Sequence, residues 1–336
     1  TLAPPEPILA PVEKTITAVG TATAPTVEHL DTILRRLAAT SAADASPMPH
    51  LAAVELTATD LVLHLSDPAG LPHPWAGTPD GYHWTIPADA YPDTIGPDVP
   101  DQPAPYPLLV TIGVSDTDDV WLLNLEDLTV TITGDPTYGH DFARYVAAEV
   151  ACNPWSASVH VACLGVATEV APLNPDRVHA YPAHHDDADP ISEYLADAVA
   201  TIDAADDADQ DVATARAHQT GADTWPARLL LIDAPTDHAA LDQLLDLIHT
   251  HPGHTATSVV IRGHHPQSPG TLIDVTADGR VTLPDAGLNL IAVGLTSDEA
   301  HGCAALLAHS DTLTNAPIPV DQAATDGWQS LSLIHI

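Results

Sequence analysis

A chain of 336 residues, 45% of them hydrophobic, is long enough for about two domains and rich enough in apolar side chains to exclude wholesale disorder. Nine Lys+Arg against 46 Asp+Glu leave a formal charge of −37, and Lys14 is the one lysine. Proteins that grip a nucleic-acid backbone replace its counterions with Lys and Arg, so this balance excludes a generic phosphate-backbone binder and repels anionic membrane surfaces. No run approaches the ~18 to 20 apolar residues of a membrane span. Three cysteines (Cys152, Cys163, Cys303) are too few for a disulfide framework, which points to a reducing compartment.

In chain order, residues 1–25 open without methionine on Ala3-Pro4-Pro5-Glu6-Pro7, a composition that favours an extended linker and lacks the regions of a signal peptide. Thr26 is placed to cap a helix in which Leu30, Ile33, Leu34 and Leu37 recur on one face. Ala53 to Leu56, Leu61 to Leu65 and Trp84-Thr85-Ile86 read as strands separated by Asp/Pro/Gly turns. These make a small α+β domain over 26–104, closed by the Pro- and Asp-rich segment Pro87 to Pro107.

From 105 to 310 the pattern is different. Leu108 to Val114 and Val120 to Leu123 form a hairpin around 115–119, and Leu128 to Thr133 is a strand that runs through Gly134 toward a helix over Asp141 to Ala151. Ser158 to Leu164 is a strand, Ile191 to Ala205 a helix, and the acidic run Asp203 to Asp211 a solvated helix end or loop. Ala227 to Asp233 is nearly continuous in apolar residues, as in a strand buried on both faces of a parallel sheet. A helix over Asp237 to His249 shows Leu241, Leu244, Leu245 and Ile248 on one face, and Ser258 to Arg262 is the next strand. Short strands around Leu272 and Val281 are joined by Asp278-Gly279, a hairpin signal, and Leu288 to Val293 leads to a helix opened by the capping box Thr296-Ser297-Asp298-Glu299. Strands alternating with helices predict an α/β fold with a doubly wound, mostly parallel sheet. Residues 311–330 read as a linker. The last six, Leu331-Ser332-Leu333-Ile334-His335-Ile336, match a translated sequencing adaptor and read as a scar, so the chain reads as an internal piece of something longer.

One motif stands out. The strand Val130 to Thr133 enters Gly134-Asp135-Pro136-Thr137-Tyr138-Gly139-His140-Asp141, with the G-x-x-x-x-G spacing and strand–loop–helix setting of a phosphate loop. A working loop then needs a lysine for the β- and γ-phosphates and a hydroxyl for magnesium. His140 and Asp141 stand there instead. A neutral imidazole supplies little charge, and a carboxylate at a helix start takes the N–H groups that would hold phosphate, so Asp141 reads as a cap. A tight turn at a strand end would also produce this glycine spacing. The strand Leu229 to Asp233 has a Walker B shape, with Asp233 as the one retained carboxylate and Ala234 where a catalytic Glu would stand. The frame is therefore a degenerate phosphate loop (Gly134, Gly139, His140, Asp141, with Walker B-like Asp233).

Pro107 to Gly113, Val120 to Leu125 and Thr131 to Asp135 resemble the entry to the motor domain of FtsK/type VII secretion-like ATPases. Trp84-Thr85-Ile86-Pro87, Gly134-Asp135-Pro136, Glu149 to Ser156 and Leu173 to Arg177 resemble, over most of residues 27 to 310, membrane-anchored actinobacterial proteins with LysM and bacterial transcriptional activator domains. That resemblance implies a parent with membrane helices and a LysM domain before this region and a helical-repeat activator domain after it. It implies a membrane-anchored, peptidoglycan-binding or transcription-regulating parent, with this segment soluble on the cytoplasmic side.

Other candidates are weaker. His184-His185-Asp186-Asp187 and His249, His251 and His254 are metal-ligand types without a ligand-set spacing. Cys152 and Cys163 read as small apolar residues in helix and strand interiors, and Trp155 as a staple of the helix end to the following strand. No nucleophile motif is present. The sequence thus predicts a non-catalytic scaffold or regulatory module: not an enzyme, no cofactor, no metal site, no direct nucleic-acid binding and unidentified protein partners. The alternatives are an FtsK-like, DNA-translocase-related ATPase and a ligand-binding regulatory domain using the crevice at the strand ends.

Overall fold

The computed structural model describes residues 10–182, 189–221, 225–233, 238–263 and 270–311. Helix α1 (Ala10–Asp44) starts 16 residues before Thr26, so the expected linker over 10–25 is helical and Thr26 lies inside the helix. This stretch holds Gly20, Pro25 and many Val and Thr residues, so intrinsic propensity does not favour a helix there; the segment extends a helix whose later turns are anchored by packing. Strands β1 (Leu51–Leu56), β2 (Asp60–Leu65), β3 (Ala76–Gly77) and β4 (His83–Pro87) follow, then the single turn α2 (Pro92–Ile95). β5 (Leu109–Val114), β6 (Val120–Asn124) and β7 (Thr129–Gly134) lead into α3 (Pro136–Cys152). Next come β8 (Val159–Leu164), a 3₁₀ turn at Thr168–Leu173, β9 (Val178–Tyr181), α4 (Pro190–Ala208), α5 (Val212–Ala217) and β10 (Ala227–Asp233). The described chain closes with α6 (Ala239–Thr250), β11 (Thr257–Arg262), β12 (Thr271–Val275), β13 (Arg280–Leu283), β14 (Leu288–Ala292) and α7 (Ser297–Asp311).

All fourteen strands among the described residues join one sheet in the order β3-β4-β2-β1-β6-β5-β14-β13-β12-β7-β11-β10-β8-β9. The six from β12 to β9 are parallel, and the remaining pairings are antiparallel. The doubly wound, parallel arrangement is thus confined to one half of the sheet. Within that half β10 shows why its sequence is continuously apolar. Leu229 and Leu231 enter the core under α3 with Phe142, Val146 and Val150, whereas Leu230 and Ile232 face Ile191 and Tyr194 of α4 and Leu241, Leu244 and Leu245 of α6. Both faces of that strand are covered, and each buried leucine contributes about 2 kcal/mol.

The antiparallel half carries α1 on one face. Leu30, Ile33, Leu34 and Leu37 pack on Val54, Leu61, Leu63 and Ile86. This core and the sheet both continue across the Pro-rich segment at 87–107, because β1 pairs with β6 (Ala53↔Leu123) and Leu109, Leu122 and Trp155 join the α1 cluster. Trp155 donates from Nε1 to the carbonyl of Leu109 at 2.8 Å, so it staples the end of α3 to β5 rather than to the following strand.

Candidate functional site

β7 ends at Gly134, whose φ of +92° is in the left-handed region. A Cβ there would meet the Val275 carbonyl oxygen at 2.2 Å, because β12 runs alongside β7 in parallel and Asp135 N donates to that same oxygen at 2.7 Å. The first glycine therefore serves the close approach of two strands.

The second glycine serves a helix. α3 begins at Pro136, five residues before the expected start at Asp141. Asp135 is its N-cap, and Oδ1 accepts from the backbone N–H of Thr137 at 2.9 Å and of Tyr138 at 3.0 Å. Pro136 has no N–H to satisfy, and Gly139 N already donates to Asp135 O at 2.8 Å. Asp followed by Pro at the first helical position is a strong helix start, and it outweighs the glycine spacing. Gly139 is thus buried inside the first turns of α3 instead of closing an open loop.

The reading of Asp141 as the helix cap is corrected accordingly. Its carboxylate lies inside the helix and pairs with Arg144 Nη1 at 2.7 Å. The same guanidinium donates to the Leu295 carbonyl at 2.8 Å and reaches Glu169 Oε1 at 3.3 Å. Burial comes first in the causes acting on Glu169, but bonds from Ser297 and Arg144 hold its carboxyl below the usual range. Asp141 is therefore neutralised within a network that ties α3 to the approach of α7.

His140 and Asp233 do meet. His140 Nε2 stands 3.9 Å from Asp233 Oδ2, and Arg262 at the end of β11 pairs through Nη2 with the other carboxylate oxygen. Because β11 lies between β7 and β10, its last residue is delivered to the same strand ends as the glycine turn and the Walker B-like strand. Burial, and next the Arg262 cation, lower the His140 pKa, so the imidazole is neutral at pH 7. Arg262 Nε is buried without a hydrogen-bond partner among the described residues. Arg262 was not singled out from the sequence. Its one local signal is a cation at the end of an apolar strand in a chain with nine Lys+Arg.

Arg262 also lines a cleft of about 200 Å³ with Thr133, Gly134, Asp135, Gly139 and Gly263; His140 and Asp233 are not among its lining residues. Its residues do not fit a magnesium–triphosphate group held in the phosphate-loop manner. The lysine and hydroxyl are absent, the first-turn N–H groups are engaged, and a carboxylate occupies the anion's place at the helix end. What the cleft offers an anion is Arg262.

Among the other candidates, His184, His185, Asp186 and Asp187 lie outside the described residues, as do Ala234, most of the expected linker at 311–330, and the terminal hexapeptide. His251 and His254 turn Nδ1 toward the carbonyls of Leu247 and Pro252 at 3.3 and 3.0 Å. No group of three or more His, Cys, Asp or Glu among the described residues is arranged to hold a metal ion. No described helix is long and apolar enough to cross a membrane. Cys163 is buried as expected, but Cys152 is exposed at the end of α3 rather than packed in its interior.

No family model matches the sequence, and no curated protein matches it significantly. Among solved structures, the fold is similar to Thermomonospora curvata EccC (ATPases 2 and 3) bound to a signal sequence peptide, with 15% identity, 69% of this chain and 57% of that one covered, and a TM-score of 0.36. It is similar to the pCW3 conjugation coupling protein TcpA with ATPγS (10% identity, 81% and 99% covered, TM-score 0.43). It is also similar to Geobacillus thermodenitrificans EssC (ATPases 2 and 3; 12% identity, 63% and 53% covered, TM-score 0.43). The chain thus spans little more than half of the EccC and EssC chains. The EccC and EssC segments are named as ATPases and the TcpA structure holds ATPγS, a finding that runs against the expectation that this protein is not an enzyme. At such identities the likeness is one of fold.

Proposed function

We propose that this chain is an ATPase-type domain of the FtsK class that receives the phosphate end of a nucleotide on Arg262 and His140 instead of on a lysine-bearing loop. The observation that carries the reading is the convergence of His140, Asp233 and Arg262 at the ends of α3's first turns, β10 and β11, beside the cleft at Gly134. An arginine fork is the side chain best matched to a phosphate, and here an incoming anion would compete with Asp233 for it. With a charge of −37 the domain leaves any contact with DNA to other parts of its assembly. The larger context we propose is a membrane-anchored parent of the LysM/transcriptional-activator type, checked by translating the reading frame on both sides of this segment.

Calorimetry with MgATP tests the site. Binding is expected, and Arg262→Ala should weaken it about tenfold, the loss of one charge-assisted contact. No heat with the native chain, or equal affinity in the variant, overturns the assignment.

A second reading is favoured by Asp135, whose carboxylate already fills the helix end. A ligand-binding regulatory domain would take a smaller anion at Arg262. A thermal-shift series with phosphate, sulfate and small carboxylates separates the two, because a true ligand stabilises by mass action.

A further inference from the structure

The exposed cysteine at the end of α3 has a neighbour on α7. Two sets of ties fix how α7 lies. At its start, Leu295 N donates to the Asp141 carbonyl at 3.0 Å and Ser297 Oγ donates to Glu169 Oε1 at 2.8 Å. Glu169 is near the beginning of the 3₁₀ turn Thr168–Leu173, along which α7 packs. At the far end of that turn, Asn174 Nδ2 and Arg177 Nη2 both donate to the Ala151 carbonyl, at 3.1 and 2.9 Å. The turn is therefore bracketed by the first residues of α7 and the last residues of α3.

The distances along the two elements agree. From Glu169 to Asn174 a 3₁₀ helix advances about 10 Å, at roughly 2 Å per residue. From Ser297 to Cys303 an α-helix advances about 9 Å, at roughly 1.5 Å per residue. α7 also packs on α3 itself, and Cys303 lies close enough to Cys152 for its charge to reach that thiol. Partial desolvation and then the charge of Cys303 push the Cys152 thiol up, while Arg177 opposes them. Desolvation and then Glu299 do the same to Cys303.

We propose that Cys152 and Cys303 are a reversible dithiol, which a small disulfide such as oxidised glutathione converts into a Cys152–Cys303 bridge pinning α7 to α3. The exposed Cys152 thiolate attacks one sulfur of the small disulfide and expels its other half as a thiolate. The Cys303 thiolate then attacks the Cys152 sulfur of the mixed disulfide and expels the second half. Two protein thiols are oxidised by two electrons, the small disulfide is reduced to two thiols, and the two protons end on those products. Cys163 takes no part, because it is fully buried and its thiol is pushed up to about 12, first by burial. A bridge of this kind suits a reducing compartment, where disulfides form transiently as redox signals.

The test is oxidation of the purified native chain with glutathione disulfide, quenched by alkylation and mapped by mass spectrometry after cleavage at acidic residues. The expected result is a Cys152–Cys303 linked peptide, with free thiols in denaturant falling from three to one and returning to three on reduction. Cys303→Ser should trap glutathione on Cys152, and only the native chain should gain a Tm shift of about 5 °C or more on oxidation, from closure of a long loop. Stable glutathione adducts on both cysteines without a link, a dimer joined through Cys152, or three thiols left unchanged would each overturn the proposal.

Discussion

The imidazole of His140, on α3, faces the carboxylate of Asp233, at the end of β10, with Nε2 3.9 Å from Oδ2. Arg262 supplies the strong half of this arrangement, since its guanidinium is permanently charged and the neutral His140 is not. Arg262→Met should destabilise the fold by roughly 1–3 kcal/mol in urea titrations, because Asp233 keeps its charge and loses its partner. Adding Asp233→Asn should cost less than the sum of the single changes. Removing Arg262 also removes one cause of the lowered His140 pKa, so the imidazole C2–H resonance should titrate at higher pH in Arg262→Met. An unchanged titration would place the guanidinium elsewhere.

Two buried carboxyls set the pH dependence of stability. Burial pushes Glu149 up to about 7, although Thr111 donates to it from both N–H and Oγ1 at 2.7 Å. Burial and then Glu126 push Asp127 up to about 7. The folded state therefore holds more protons than the unfolded chain between about pH 4 and 7, and stability falls as pH rises through that window. His50, raised to about 9 chiefly by Asp211, acts in the same direction: its contribution is full below about pH 6.5 and is lost as pH rises toward 9. Urea midpoints should be higher at pH 5.5 than at pH 8. Glu149→Gln, which copies the protonated form, should flatten that difference by about 2 kcal/mol.

Arg216 is 1% exposed and holds together parts of the chain far apart in sequence. It pairs with Glu126 Oε1 at 2.6 Å and donates to the carbonyls of Pro105 and Trp225. Arg216→Met should cost about 3–5 kcal/mol, since it leaves a buried carboxylate and two carbonyls without their donor. Arg216→Lys should recover little, because one ammonium cannot reproduce the fork. Equal urea midpoints for native and Met forms would refute the burial of this pair.

What was legible from sequence was periodic. α6 shows its Leu241, Leu244, Leu245 and Ile248 stripe in the sequence and buries that same stripe, and β10 reads as a two-faced strand because both of its faces are covered. The hairpin at Asp278-Gly279 carries its own turn chemistry and joins β12 to β13. What was not legible depends on partners distant in the chain. Nothing near Arg216 announces Glu126, and nothing near Arg262 announces Asp233. The four-residue β9 has too few side chains to show a period. At Gly134–Gly139 two local signals competed, a glycine spacing and an Asp-Pro helix start. The second prevailed because its hydrogen bonds are satisfied within the chain, whereas an open cradle needs a ligand to satisfy them.

That outcome separates the two glycines of the motif by experiment. Gly134→Ala forces a side chain into left-handed backbone and against the Val275 carbonyl, so it should cost more than about 2 kcal/mol and loosen the β7–β12 edge. Gly139→Ala puts a methyl group 3.5 Å from Ile132 Cγ2, ordinary contact distance, inside a helix where alanine is favoured. It should be neutral or stabilise by up to about 1 kcal/mol. Urea titration of both variants measures this, with hydrogen exchange at Thr131 to Gly134 reporting on the strand edge. A phosphate cradle would make the opposite demand, since its second glycine lets the backbone wrap an anion. If Gly139→Ala proved as damaging as Gly134→Ala, α3 would have to begin later than Pro136, and Asp135 would not be its cap.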